Sequence, residues 1–199
     1  MDNKRLLGEV FCAELTNRRG TSRIARRLNE SEAEVRRQLS SLKRKGLVAG
    51  SASRPRLTEK GRKRIRVIFT GGSFEIMHPG HLYTIEQAKR LGDVLVAVLA
   101  RSSTIRARKG REPVAQEPER LALMSSMRQV DAAILGVEGS IYETMEKVGP
   151  DVVALGYDQY HAEEDIRREA VKRGMRLKVV RLKALNTDFK TSKILAEFI

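Results

Sequence analysis

The sequence predicts two folded modules: a small, strongly basic helical one over residues 1–65, and a doubly wound, mostly parallel α/β sheet over residues 66–199. Three observations predict this. From Val67 onward, apolar β-type runs alternate with helical patterns, as a parallel sheet with crossover helices requires. Residues 93–100, DVLVAVLA, are almost continuously apolar, which suits a central strand covered on both faces. Charge is also unevenly divided: residues 1–65 hold 18 Lys+Arg against 7 Asp+Glu, a net +11, whereas residues 66–199 hold 21 against 18, a net +3. That asymmetry points to two modules with different partners, the first suited to a polyanion. A chain of 199 residues that is 41% hydrophobic can bury a proper core. No apolar run reaches the length of a membrane span, and MDNKRLLGEV lacks a signal-peptide core. The lone Cys12 excludes an internal disulfide framework and a thiolate zinc cluster. The cytoplasm is the expected compartment.

In the first module, Leu6, Leu7, Val10, Phe11 and Leu15 recur at helical spacing, so residues 4–16 read as an amphipathic helix, broken by Asn17-Arg18-Arg19-Gly20. Thr21 is placed to cap a second helix, with Ile24, Ala25 and Leu28 facing inward. Ser31 and Glu34 form a capping-box pair for a third helix, Ser31–Lys45, with Val35, Leu39 and Leu42 as its buried stripe and Gly46 as its stop. Residues 47–58 fit a small hairpin, and Thr58 opens a last helix through Ile65. The whole resembles a winged helix-turn-helix domain with the third helix in the recognition position. Arg36, Arg37, Lys43 and Arg44, with Lys45 beside them and Arg54 and Arg56 in the wing, suit DNA phosphates and guanine edges. A winged helix used for dimerisation or docking would carry the same features. Double-stranded DNA is therefore a candidate partner, and the oligomeric state, monomer or homodimer, stays open.

The second module opens with a strand at Val67–Thr70 and a helix at Pro79–Leu91, followed by the central strand Asp93–Ala100. Helix Glu117–Met127, strand Ala132–Leu135, helix Ile141–Val148, strand Val152–Leu155, helix Glu163–Arg173 and strand Lys178–Arg181 continue the alternation, and Ser192–Phe198 reads as a short terminal helix. Ligands on such sheets bind beyond the carboxyl ends of the strands. The first strand delivers residues 71–81, GGSFEIMHPGH, to that edge, with two of the three histidines of the chain. Glycines let the backbone approach phosphates, a helix N-terminus offers free N–H groups, and imidazoles add hydrogen bonds where negative charge gathers. Two histidines three apart also suit a structural cap or half of a metal site. There is no GxxxxGK[ST] loop, which argues against an ordinary P-loop kinase or ATPase.

Other segments reach the same edge. Arg106, Arg108, Lys109 and Arg111 follow the second strand in a loop, RARKGREP, that could be solvated or could clamp a triphosphate, Lys109 being the best candidate. Arg120 opens the next helix as surface charge or a nucleotide contact. Gly156, Tyr157 and Asp158, in ALGYDQ, leave a strand where a base or ribose would be read or a plain strand-end turn would stand, and Thr191 and Ser192 put hydroxyls at a helix N-terminus as a phosphate seat or an ordinary cap.

The histidine turn resembles the GTFDxxHxGH signature of the cytidylyltransferase-like nucleotidyltransferases, with Gly72-Ser73-Phe74-Glu75 in the GTFD place and His78-Pro79-Gly80-His81 as HxGH. Lys190–Ile194 resembles the family's C-terminal ISSTxI signature, so the resemblance covers the whole second module and implies a Rossmann-like parallel sheet. The combination with the Lys-Gly-Arg loop, ERL and GYDQ is most similar to the archaeal FAD synthases, which transfer AMP from ATP to FMN. Glycerol-3-phosphate cytidylyltransferases, which use CTP, share the framework. Winged helices fused to archaeal flavin-pathway enzymes favour flavin. The chain departs from the family at Ser73 for Thr, Glu75 for Asp, and Arg101-Ser102 where Arg-Asp is usual, which bears on acceptor identity. His161 has no family role and reads as surface.

The resemblance implies attack of an acceptor phosphate oxygen on the α-phosphorus of a nucleoside triphosphate, with release of pyrophosphate. His78 and His81 would stabilise the α-phosphate and Lys109 would close over the triphosphate, with Gly72, Ser73, Phe74 and Gly80 forming the turn. Thr191 and Ser192 would hold the β- and γ-phosphates, and Gly156, Tyr157 and Asp158 would lie by the nucleoside, with Arg120 a further contact. Mg²⁺ is expected to accompany the triphosphate, with no metal site built of protein ligands. A rival of another class is a DNA-binding regulator whose α/β module senses a nucleotide or flavin.

Overall fold

The computed structural model describes residues 2–183, which fall into two compact units divided between Arg66 and Val67. Thr191, Ser192 and the rest of the terminal signature lie outside the described residues.

The first unit is built from helices α1 (Asn3–Leu15), α2 (Thr21–Leu28) and α3 (Glu32–Arg44), an antiparallel hairpin of β1 (Val48–Gly50) and β2 (Pro55–Leu57), and a short α4 (Glu59–Arg62). Leu6, Leu7 and Val10 of α1, Ile24 and Leu28 of α2, and Val35, Leu39 and Leu42 of α3 are buried, as their helical spacing requires. Asp2 caps α1 by accepting from the Lys4 amide at 2.9 Å. Thr21 does not cap α2. Gly20 takes the cap position with no side-chain bond, and Thr21, one residue inside, is buried with its hydroxyl donating to Glu32 at 3.3 Å. Only half of the expected capping box forms on α3: Ser31 accepts from the Glu34 amide, while the Glu34 carboxylate turns to Arg37 and Gln38. Those side chains lie three and four residues along the helix, where charge pairs compete with the reciprocal cap. Helix α4 ends at Arg62, short of the expected Ile65. It sits so close to the hairpin that a Cβ at Gly61 would fall 2.0 Å from the Leu47 carbonyl oxygen.

The second unit runs β3 (Val67–Gly72), α5 (Pro79–Lys89), β4 (Val94–Leu99), α6 (Ser102–Lys109), α7 (Glu117–Ser126), β5 (Ala132–Leu135), α8 (Ile141–Val148), β6 (Val152–Leu155), α9 (Glu163–Lys172) and β7 (Lys178–Arg181). The five strands are parallel in the order β5-β4-β3-β6-β7, so the sheet is wound outward in both directions from β3. Every residue of β4 is buried, matching its uninterrupted apolar run. The expected loop 106–113 is in part helical: α6 continues through Arg106 and Lys109 to a left-handed Gly110. Its SSTIRARK sequence has Ile105 as its sole buried residue, too little for an apolar period to show.

The two ends of the sheet differ in how they are tied. At the amino ends, Asp131 accepts from the Leu95 amide at 2.6 Å, and Asp151 accepts from the Val67 amide at 2.7 Å. Each aspartate precedes a strand and fixes the first residues of its neighbour. At the carboxyl ends, β3 pairs with β4 along its full length, from Val67↔Val94 to Gly72↔Leu99, but with β6 only at Ile68↔Val152 and Phe69↔Val153. Past that point the buried Thr70 hydroxyl donates to the Ala154 carbonyl at 3.1 Å in place of a ladder bond. The β3/β6 boundary is the switch point at which such sheets receive ligands. Replacing Asp151 by Ala strands the Val67 amide and should cost about 1–3 kcal/mol of unfolding free energy, read as a lower urea midpoint at unchanged slope.

Candidate active site

The turn after β3 is shaped by its bare glycine. Phe74 adopts a left-handed φ of 47°, a conformation that costs a non-glycine residue about 1–2 kcal/mol. That geometry lays the buried Phe74 ring over Gly72, where an added Cβ would meet ring carbons at 2.8 and 2.9 Å. The same ring stands edge-on to His81 with centroids 5.3 Å apart. Gly72, Phe74 and His81 therefore form a column in which each member sets the position of the next. His78 occupies the cap position of α5, followed by Pro79 and Gly80, and no side chain caps that N-terminus. Its partial positive charge is left for an incoming anion.

The two imidazoles lie side by side with centroids 3.9 Å apart. Each has a buried Nδ1 that lacks a hydrogen-bond partner among the described residues. Buried polar atoms are nearly always satisfied, so two exceptions side by side single out this turn, although the Ile76 backbone also draws on His81. Burial, followed by the neighbouring His78, pushes His81 down to about 4, and burial lowers His78 as well. Asp158, on the loop after β6, works in the opposite direction on both rings. The pair is neutral near pH 7, and phosphate charge drawn against it would raise its proton affinity.

Lys109 reaches this turn from the end of α6. Its ammonium pairs with the Glu75 carboxylate and donates to Ser73 Oγ at 3.3 Å. Arg111 holds the other Glu75 oxygen at 2.7 Å, with the Val114 amide at 3.4 Å. Burial pushes the Glu75 carboxyl up, but the hydrogen bonds and charges of Lys109 and Arg111 overcome this and hold it below the usual carboxylate range. The Glu75 carboxylate thus gathers two cations of the α6–α7 segment over the turn.

Arg120 is not placed as a free nucleotide contact. It is 1% exposed, and its guanidinium donates to the carbonyls of Ala115 at 2.9 Å, Ser73 at 2.9 Å and Ala100 at 2.8 Å. A buried fork satisfied by three carbonyls is a brace between the turns after β3 and β4. The departure at Ser102 is compensated nearby: Glu117 of α7 accepts from the Ser102 amide at 2.7 Å and pairs with Arg101 at 3.0 Å. That backbone hydrogen bond, then Arg101, holds the Glu117 carboxyl low.

The remaining wall is the loop at 156–161, beyond β6. Gln159 donates to the Gly71 carbonyl, tying the loop to the end of β3. Tyr160 is 64% exposed and lies beneath the Arg108 guanidinium, 3.4 Å from its ring centroid, which links the loop to α6. His161 is half-buried rather than superficial, stacked on Tyr160 with centroids 3.9 Å apart. Burial, with Arg108 and Arg181 nearby, pushes it down to about 4. The predicted Gly72, Ser73, Phe74, His78, Gly80 and His81 are therefore brought together with Lys109 and Asp158 at the switch point, Tyr157 is exposed on the same loop as Asp158, and Arg120 stands behind them. Glu117 and Arg181 were not predicted at the site, Glu75 stands out in the sequence only as a departure from the signature, and Arg111 only as a member of the basic loop. Among the described residues no group of three or more His, Cys, Asp or Glu side chains is arranged to hold a metal ion.

The cytidylyltransferase-like family model matches residues 69–196, from β3 through the terminal signature. The chain belongs to the cytidylyltransferase-like family. As a member of that family it is a nucleotidyltransferase. It is 39% identical over 144 residues to an FAD synthase of Thermococcus kodakarensis, covering 71% of this chain and 96% of that protein. It is 45% identical over 119 residues to an FAD synthase of Aciduliprofundum boonei, covering 60% of this chain and 78% of that one. A crystal structure described as a lipopolysaccharide core biosynthesis protein from Thermoplasma volcanium superposes with a TM-score of 0.59 at 40% identity, covering 61% of this chain and 99% of that one. No helix among the described residues is long and apolar enough to cross a membrane.

His81 and His161 both sit near 4 against an ordinary 6.5. A histidine with a depressed folded value binds its proton more readily unfolded, so its stabilisation is full above about pH 6.5 and is lost as pH falls towards 4. Urea midpoints should drop between pH 7 and pH 5, and the drop should shrink in His81→Asn and in His161→Asn.

Proposed function

We propose that the protein is an FMN adenylyltransferase: an FMN phosphate oxygen attacks the α-phosphorus of ATP, the bond from that phosphorus to the β-bridging oxygen breaks, and FAD and pyrophosphate leave. The observation that carries this is the pair of adjacent histidines with unpartnered buried nitrogens at an uncapped helix N-terminus on the switch point. The FAD synthase relatives support ATP and FMN as the substrates. In-line phosphoryl chemistry needs positioning and relief of negative charge, and little covalent work from the protein. His78 and His81 donate hydrogen bonds to the α-phosphate and bridging oxygen. Lys109 exchanges Glu75 for the triphosphate, leaving Arg111 to hold the buried carboxylate. Thr191 and Ser192 seat the outer phosphates, while Gly156, Tyr157 and Asp158 lie by the nucleoside. Gly72, Ser73, Phe74 and Gly80 shape the turn, and Arg120 braces it. With Glu75 held by two cations, Mg²⁺ fits as an ion carried in on the phosphate oxygens, where it supplies charge neutralisation. The reaction belongs in the cytoplasm.

The test crosses ATP and CTP against FMN and glycerol 3-phosphate in the presence of Mg²⁺, with pyrophosphate release as the readout. ATP with FMN alone should turn over and yield FAD; CTP with glycerol 3-phosphate would keep the mechanism and replace the substrates. His78→Ala and His81→Ala should each lower kcat by about a hundred- to a thousandfold with smaller changes in ATP affinity.

A second property is proposed for the first unit, read as a winged helix-turn-helix that binds double-stranded DNA and couples it to the state of the enzyme. On α3, Arg36 and Arg37 are paired with Glu32 and Glu34, and Lys43 donates to the Gly50 carbonyl at 3.0 Å, leaving Arg44 exposed. Arg18, Arg23 and Arg26, on α2 and the turn before it, crowd one another, and Glu9 offsets this only in part at Arg23. These cations favour phosphate contacts centred on α2 more than on α3. Anisotropy titrations with a duplex at low salt should show a triple Arg18, Arg23 and Arg26 to Ala variant losing affinity, with a salt slope shallower by roughly 2–3. An unchanged slope would remove this surface from any DNA contact.

A further inference from the structure

The geometry points to Arg181 as the residue that fixes the nucleoside-reading loop, and hence as a positioning residue for base selection that acts through backbone carbonyls without touching the triphosphate. It rests on the nucleotidyltransferase function proposed above. Arg181 ends β7, at the far edge of the sheet from β4. Its Nη1 donates to the carbonyls of Gly156 at 3.0 Å and Gln159 at 3.1 Å, and its Nη2 donates to that of His161 at 2.7 Å. Its Nε pairs with Glu163 at 3.2 Å, and Glu163 in turn holds Arg167 at 2.8 Å. One guanidinium thus gathers three carbonyls spaced over six residues, Gly156 to His161, and anchors them to the start of α9.

The effect on the loop follows from what is left free. With the Gly156, Gln159 and His161 carbonyls drawn back to β7, and the Gln159 side chain bonded forward to Gly71, the chain between them is held at both ends. Asp158 lies in that span and is close enough to the two histidines for its charge to act on both. A loop pinned in this way presents Tyr157 and Asp158 at a fixed distance from the phosphate turn, which is what discrimination between bases of different size requires. Base choice by backbone and carboxylate contacts is lost when those groups wander by an ångström. Lysine at position 181 would keep the positive charge but has one nitrogen, and that nitrogen cannot span three carbonyls together.

The experiment compares Arg181→Lys with the unaltered protein by calorimetric titration with ATP, CTP and inorganic tripolyphosphate, each with Mg²⁺. If the fork positions the loop, ATP affinity should fall about tenfold or more and the ATP-to-CTP preference should collapse towards unity, while tripolyphosphate binding is unchanged. ATP affinity unchanged in Arg181→Lys would mean that charge alone is used, and equal losses for ATP and tripolyphosphate would mean a general structural or electrostatic effect. Either result overturns the assignment. Gln159→Leu, which releases the forward tether and leaves Arg181 in place, should reproduce the same selective loss; it serves if Arg181→Lys fails to fold, and an unchanged ATP-to-CTP preference in it also counts against the assignment. FAD formation from ATP and FMN is scored separately on the unaltered protein, so a wrong acceptor leaves the binding result interpretable.

Discussion

The end of the β3–β6 ladder at Phe69 and Val153 is the constraint on which the chemistry of the second unit depends. While β3 remains paired to β4 through Gly72, its other side has no ladder partner beyond Phe69 among the described residues. The chain meets that gap with side chains. The Thr70 hydroxyl reaches Ala154, and Gln159 reaches Gly71, so polar groups that a ladder would satisfy are satisfied by side chains on either side of the gap. Two turns, one on each side of the gap, then carry the histidines and Asp158. The opposite end of the sheet is closed by Asp131 and Asp151 on neighbouring amides, which puts rigidity where no ligand is needed.

Within the site, opposing demands are met by burial and pairing in combination. Burial lowers the proton affinity of the histidines, which leaves them neutral and their Nδ1 atoms unsatisfied. Burial would also neutralise Glu75, and two cations prevent it. The outcome is a turn with a negative group held behind it, basic groups poised at its rim and neutral donors at its centre. Such an arrangement is matched to a polyanion that arrives from outside and is mismatched to an empty site. The mismatch lowers stability below pH 6.5 and provides differential interaction with a phosphate.

Much of this was legible in the sequence because it is local. The residues 71–81 are contiguous, their spacing alone puts two imidazoles on the first turn of a helix, and the DVLVAVLA run could only be a covered strand. What escaped is non-local. Arg120 is separated from its Ser73 acceptor by 47 residues, and Arg181 from Gly156 by 25, so charge could be seen but not its direction. Glu75 was visible as a departure from the family signature, yet nothing in the string told that Lys109 and Arg111 would close on it. Helix α6 was hidden by its own composition, having one buried apolar residue and three basic ones in its last turn. At the helix starts of the first unit, Ser31 caps α3 as expected, whereas Gly20 takes the cap place expected of Thr21 and the Glu34 carboxylate is drawn along the helix to Arg37 and Gln38.

The Glu117 bond to the Ser102 amide carries a consequence for how such a chain can change. A carboxylate is present at the α6 N-terminus, but it comes from α7 and not from the residue at position 102. Aspartate introduced at 102 while Glu117 remains would set two negative charges against one amide and two arginines, Arg101 and Arg120, whereas removing Glu117 first would leave the helix start and Arg101 without a counter-charge. Loss of Glu117 is therefore the unfavourable step unless a carboxylate is already present at 102. The two positions share their partners, so the order in which they are exchanged decides whether this terminus keeps its counter-charge.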